Sequence, residues 1–220
     1  MDNWAQIIAT VREWSRYFPD GLVAIGGMAT YLHAQALADA RLLEVSHDGD
    51  IYLSLADYSD LRDIEEVVHN NRLHKAQIEK RGVDYDLYIE HQSHLVVPFD
   101  DVVRHSVAIN DIRCASLEHL LVLKLDAALD RAGSAKGEKD RRDVVRLVLL
   151  LENPQRALVE AYWRPEFDAY LVHTGKSRVF VEMAQGNTHD AAIWRRRYDQ
   201  HLQALLATPS DTGAPGLDPR

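Results

Sequence analysis

An α+β fold, in which a mixed sheet is flanked by helices and followed by a helical C-terminal region, is what this sequence predicts. Three observations predict it. Short apolar or alternating runs crowd the first half, at 22–25, 49–55, 74–78, 83–89, 107–109 and 112–114. Helical periodicity dominates from Ser116 to Ala207. Strands gathered in one half and helices in the other mark an α+β chain rather than an alternating α/β one. The expected organisation is a catalytic domain over 1–115, a helical domain over 116–207 and a disordered tail over 208–220, where three prolines and two glycines sit among almost no apolar residues.

In order, Trp4, Ile7, Ile8, Val11, Trp14 and Phe18 recur at helical spacing, so residues 3–17 read as an amphipathic helix closed by Pro19-Asp20-Gly21. Leu22-Val23-Ala24-Ile25 reads as a buried strand ending in Gly26-Gly27, and the segment from Met28 to about Ala40 as a helix starting at those glycines. A strand over 49–55 follows, then a helix near 58–69 with Leu61, Ile64, Val67 and Val68 on one face. Alternation over His74–Ile78 and Val83–Ile89 gives two strands, the second with Asp84 and Asp86 on one face. Val107–Cys114 reads as a hairpin, and Ser116 as the N-cap of the first helix of the C-terminal region.

Composition narrows the function. With 46% apolar residues among 220, the chain can bury a normal core. One cysteine, Cys114, rules out an internal disulfide and a cysteine zinc cluster, which fits a reducing compartment, and the cytoplasm is the expected location. No signal peptide, membrane span or membrane partner is expected. A formal charge of −9 argues against a broad nucleic-acid coat, although a local basic patch remains compatible with it.

The chemistry-bearing residues start with Asp48 and Asp50. Side chains at i and i+2 of a strand share a face about 7 Å apart, which lets two carboxylates grip a hard divalent cation from one side. Gly26-Gly27, between a strand and a helix N-terminus, lets a phosphate approach the backbone closely, without matching a Walker or Rossmann loop. Lys124 falls in the middle of the apolar stripe Leu117, Leu120, Leu121 and Ala128, with Arg131 near its end, so it either snorkels to the surface, joins a structural ion pair or aims its charge at a phosphate in a cleft. Asp140 and Asp143 read as inward-facing carboxylates of the N-terminal turn of the next helix. From Arg131 to Arg146, six basic residues stand against three acids, a local positive excess suited to steering a nucleotide or an RNA end.

Taken together, Gly26-Gly27-Met28-Ala29, Ser46-His47-Asp48-Gly49-Asp50, the inward Lys124 and Lys139-Asp140-Arg141-Arg142-Asp143 resemble the nucleotidyltransferases of the polymerase-β-like superfamily. Within it they resemble the AbiEii/MenT-like toxins of toxin–antitoxin systems, over roughly Leu22–Leu151. The resemblance implies a nucleotidyltransferase-like sheet and an NTP co-substrate. It implies magnesium, with manganese as the alternative, on Asp48, Asp50 and a third carboxylate, Asp86 or Asp84. Ser46, Gly26, Gly27, Lys139 and Arg131 would contact the triphosphate, Lys124 and Asp143 would complete the catalytic set, and Asp86 would ligate a second metal or take a proton. A tRNA 3′ end as acceptor and an antitoxin protein as partner are implied by family alone. Three departures stand out: 20 residues separate Gly27 from Asp48, Glu44-Val45 replaces the usual arginine with Arg41 the nearest, and Gly49 replaces an aliphatic residue. A small-molecule or protein nucleotidylyltransferase, or a catalytically degenerate nucleotide- or partner-binding module, are the alternative readings.

Overall fold

The computed structural model describes residues 3–37, 40–70 and 74–207. Helix α1 (Asn3–Tyr17) leads into β1 (Leu22–Ile25), α2 (Gly26–Ala36), β2 (Gly49–Leu53), α3 (Leu55–Ile64), β3 (Val68–Asn70), β4 (Lys75–Lys80) and β5 (Val83–Ile89). Next come α4 (Phe99–Arg104), β6 (Val107–Ile109), β7 (Ile112–Cys114), α5 (Leu117–Asp130), α6 (Ala135–Leu150), α7 (Pro165–Lys176), α8 (Val179–Met183) and α9 (Thr188–Leu206). The tail expected to be disordered, 208–220, lies outside the described residues.

Among the described residues, seven strands form one sheet in the order β3-β4-β5-β2-β1-β7-β6. It is mixed as expected: β1 runs antiparallel to β2, while β2 and β5 are parallel, as are β1 and β7. Strand β1 is buried throughout, at the centre of a core that Ile7, Val11 and Trp14 of α1 reach from one helix. Such a strand reads as an unbroken apolar run because both its faces are covered.

One register pair explains a departure noted in the sequence. Gly49 stands opposite Tyr85, and a Cβ at 49 would come 2.6 Å from Tyr85 Cδ1. The Tyr85 ring is fully buried and packs edge-on against Trp14 at a centroid distance of 4.9 Å, so it cannot retreat. Glycine at 49 is a packing requirement rather than a sign of a decayed motif. Gly49→Ala is expected to destabilise the fold by about 1–3 kcal/mol through overpacking, read as a shift of the urea midpoint. An unchanged midpoint would show that Tyr85 moves freely.

Several boundaries differ from the expectation. The helix expected to run to about Ala40 ends at Ala36. The strand expected over 49–55 stops at Leu53, because Ser54 caps α3 by accepting from the Asp57 N–H. The helix expected near 58–69 ends at Ile64, and Val68–Asn70 forms the edge strand β3 instead. Only Leu61 of the four apolar residues assigned to its inner face is fully buried; Ile64 and Val68 are exposed. The six-residue α4, too short to show a helical period, was not anticipated. The hairpin β6–β7 and the Ser116 cap, which accepts from the His119 N–H at 3.2 Å, are where the sequence puts them.

Candidate active site

The end of β1 and the start of α2 meet at Gly26, whose φ of +62° lies in the left-handed region that favours glycine. A Cβ there would come 2.1 Å from Asp50 Oδ2, and one at Gly27 would come 3.0 Å from Ser46 Oγ. The paired glycines therefore let the acidic strand close onto the helix N-terminus. Ile25, the N-cap of α2, supplies no side-chain hydrogen bond, so the first N–H groups of the helix are not capped by it.

Strand β2, which starts at Gly49, carries Asp50 into this corner, and Asp48 stands just before the strand rather than on it as expected. Ser46 is buried and donates to Asp48 Oδ1 at 2.8 Å. Asp50 has its carboxyl pushed up to about 7, first by burial and then by the negative charge of Asp48. The charge of Lys124 opposes the shift, Asp86 adds to it, and Lys75 opposes it. Two carboxylates this close, in a setting that disfavours ionisation, are compensated by a cation.

Asp86 stands directly opposite Asp50 in the parallel β2–β5 pair and so faces the same side of the sheet. Its Oδ2 is held by the Lys75 ammonium and its Oδ1 accepts from Gln77 Nε2 at 2.8 Å, both from β4. Asp84, the other candidate for the third carboxylate, is exposed and paired in register with Glu79. Among the described residues no group of three His, Cys, Asp or Glu side chains stands ready to hold a metal. The Asp48–Asp50 pair nonetheless suits a hard divalent cation, since its donors are carboxylate oxygens and the charges of Lys124 and Lys75 only partly offset the burial of Asp50.

The opposite wall comes from α5 and α6. Lys124 Nζ lies 3.2 Å from Asp140 Oδ1 and 3.0 Å from Asp143 Oδ2. Burial pulls the Lys124 ammonium down, but the carboxylates of Asp143, Asp140 and Asp50 outweigh it, and it stays charged. Arg131 Nε reaches Asp140 Oδ2 at 3.1 Å, and Arg146 Nη1 reaches Asp143 Oδ1 at 3.0 Å. One earlier expectation is corrected here. Ser134 caps α6, so Asp140 and Asp143 lie in its second and third turns, not its first. Their partners are therefore lysine and arginine side chains rather than the amides of the first helical turn.

The two walls face each other across one open cleft. Gly26, Gly27, Ser46, Asp48, Asp50, Lys124, Arg131, Lys139, Asp140 and Asp143 all line it, so those site residues named from the sequence come together. Asp86 sits beside Asp50 but does not line the cleft; Asp84 is not among its lining residues either. The sequence reading missed Tyr88 and Thr30, which also line it, and counted Lys136, a further lining residue, only within the basic run over 131–146. Tyr88 shares the Asp86 face of β5, and burial and the charges of Asp50 and Asp86 push its hydroxyl well above the usual range. Its alternation with Asp84 and Asp86 was the available signal. Lys136 and Lys139 have no ion-pair partner among the described residues. At the position of the missing arginine, Arg146 of α6 pairs with Glu44, so a guanidinium reaches that segment by another route.

No protein-family model matches the chain, and no curated protein does. Among solved structures, it is similar to an antigenic nucleotidyltransferase-like protein from Paracoccidioides brasiliensis, with a TM-score of 0.51 and 14% identity over 87% of this chain and 93% of that one. It is also similar to the Megavirus polyadenylate synthase, with a TM-score of 0.51 and 15% identity over 67% of this chain but only 32% of the viral one. At such identities the likeness is one of fold. The chain has a nucleotidyltransferase-like fold, a mixed sheet flanked by helices, with its acidic pair and its basic residues facing each other across one cleft.

Proposed function

We propose that this protein is a metal-dependent nucleotidyltransferase of the AbiEii/MenT type, which moves a nucleoside monophosphate from an NTP to an acceptor hydroxyl. The carrying observation is the convergence of Asp48, Asp50, the glycine turn and the Lys124 network on one cleft. Asp48 and Asp50 would hold magnesium, or manganese, which neutralises phosphate charge when bound.

This chain's own residues do the rest. The backbone at Gly26-Gly27 and the start of α2 cradle the phosphate tail, and Lys139, Lys136 and Arg131 at the rim receive its negative charge. The acceptor oxygen forms a bond to the α-phosphorus as the bond to the β-phosphate oxygen breaks, releasing pyrophosphate. Lys124 offsets the charge that develops, its position fixed by Asp140 and Asp143. The hydroxyl proton passes to Asp86 where that carboxylate has released Lys75, and to solvent water while Lys75 holds it.

The acceptor is the tRNA 3′ end and the physiological role that of a toxin held by a cognate antitoxin, both in line with the motif resemblance. An RNA acceptor also agrees with the basic excess over 131–146 and with a fold neighbour named a polyadenylate synthase. Residues 1–115 form the catalytic part and 116–207 the helical part in this reading. Among the described residues no helix is long and apolar enough to cross a membrane. The proposed working compartment is the cytoplasm, in line with the single cysteine. Each labelled NTP incubated with total tRNA and Mg²⁺ is expected to give label at the 3′ end for at least one nucleotide, lost in Asp48→Ala. Transfer with no NTP, or transfer undiminished in the variant, would sink the proposal.

A further inference from the structure

Asp86 presents an unusual combination: the position of a third metal ligand and the surroundings of a structural ion pair. The parallel register sets it against Asp50, with both side chains on one face. On its other side β4 runs antiparallel with Gln77 opposite it. In β4, Ala76 and Ile78 turn to the core, which sends Lys75 and Gln77 to the face that carries the carboxylates. Each oxygen of Asp86 thereby has its own donor, the Lys75 ammonium on Oδ2 and the Gln77 amide on Oδ1. The Lys75 and Asp86 side chains are each only 14% exposed, so the pair is shielded from water. The charge of Lys75 is also felt at Asp50.

We propose that Lys75 takes the place of a second divalent cation at this site: it holds Asp86 out of metal coordination, and the cleft takes one divalent ion, on Asp48 and Asp50. The inference rests on the nucleotidyltransferase reading of the cleft and specifies its metal content. A divalent ion bound by Asp86 would share that carboxylate with an ammonium in a shielded setting, where like charges repel strongly. To admit it, Lys75 has to leave and find another anion. A fixed ammonium gives Asp86 its positive neighbour without any metal, and it lends part of that field to the adjacent pair.

Metal content separates this arrangement from a two-metal site without recourse to turnover. Mn²⁺ is titrated into the full-length protein and free ion is counted by electron paramagnetic resonance. The wild type is expected to bind one Mn²⁺ per chain, and Asp50→Asn to bind it at least tenfold more weakly. Lys75→Met is expected to bind two, and Lys75→Met/Asp86→Asn to return to one. Lys75→Gln serves the same purpose if circular dichroism shows that Lys75→Met does not fold. Two ions in the wild type, one of them lost in Asp86→Asn, overturns the inference and leaves the nucleotidyltransferase reading standing. A single ion in both Lys75 variants also overturns it. No Mn²⁺ in the wild type, or binding indifferent to Asp50→Asn, overturns the inference and the metal reading together.

Discussion

Asp50→Asn is expected to abolish nucleotide transfer and, in the absence of divalent ions, to make the protein more stable. Burial and the Asp48 charge raise the Asp50 carboxyl from its ordinary 3.8 to about 7. The folded state therefore holds this proton more tightly than the unfolded chain does, and ionising Asp50 costs folding free energy. The cost is absent below about pH 3.8, grows as pH rises toward 7, and is fully present above it. The gap corresponds to roughly 4 kcal/mol, which partial exposure of the side chain reduces to about 2 kcal/mol. The amide carries no such cost, so the difference in melting temperature between variant and wild type should be near zero around pH 4 and reach a plateau above pH 7. Saturating Mn²⁺ should close the difference by stabilising the wild type alone. Transfer should fall by at least about 100-fold. A variant less stable than wild type at pH 8 would show that Asp50 is already neutralised by its neighbours.

Lys124→Met is expected to act in the opposite direction on stability. The side chains of Asp140 and Asp143 are only 5% and 6% exposed, and Lys124 bridges them. Without the ammonium each keeps one cationic partner, Arg131 or Arg146. Removing one member of a buried network leaves uncompensated charge, worth about 3 kcal/mol here. Urea unfolding should show that loss, and the double variant Lys124→Met/Asp140→Asn should recover part of it, because Arg131 is exposed enough to find solvent. Transfer falls in both variants. If the single variant unfolds at the wild-type midpoint, the bridge carries no net stability.

The sequence made the cleft legible where a residue contradicted its surroundings. A lysine inside an apolar stripe and two aspartates on a half-buried strand each demand a partner, and the structure puts them across one cavity. Where residues agreed with their surroundings, the sequence was silent. Tyr88 looks like any strand aromatic until the β2–β5 register sets its strand beside Asp50, and Lys75 looks like a solvent-facing lysine until β4 is laid against β5. Strand pairing is non-local, and one sequence holds no direct record of it. The overrun of α3 has a similar origin: the β3 edge strand buries neither Val68 nor His69, so no alternation marks it. The position of Asp140 was misjudged because Ser134, not a later residue, caps α6.

The parallel pairing of Ala24 with Cys114 sets how this cleft can move. Strand β7 ends at Cys114 and the helix that carries Lys124 begins at Leu117, while β1 runs straight into Gly26. The Ala115 carbonyl also accepts from His33 of α2 at 2.8 Å. Floor and wall of the cleft are thus clamped together at their root by the two backbone groups of Ala115, whose N–H donates to the Ala24 carbonyl at 3.0 Å and whose carbonyl accepts from His33. The mouth can widen only by flexing the far ends, around Arg131 to Lys139, and not by swinging one half of the chain against the other. Admission of a substrate would then be felt first at the rim lysines, with the acidic corner staying rigid throughout.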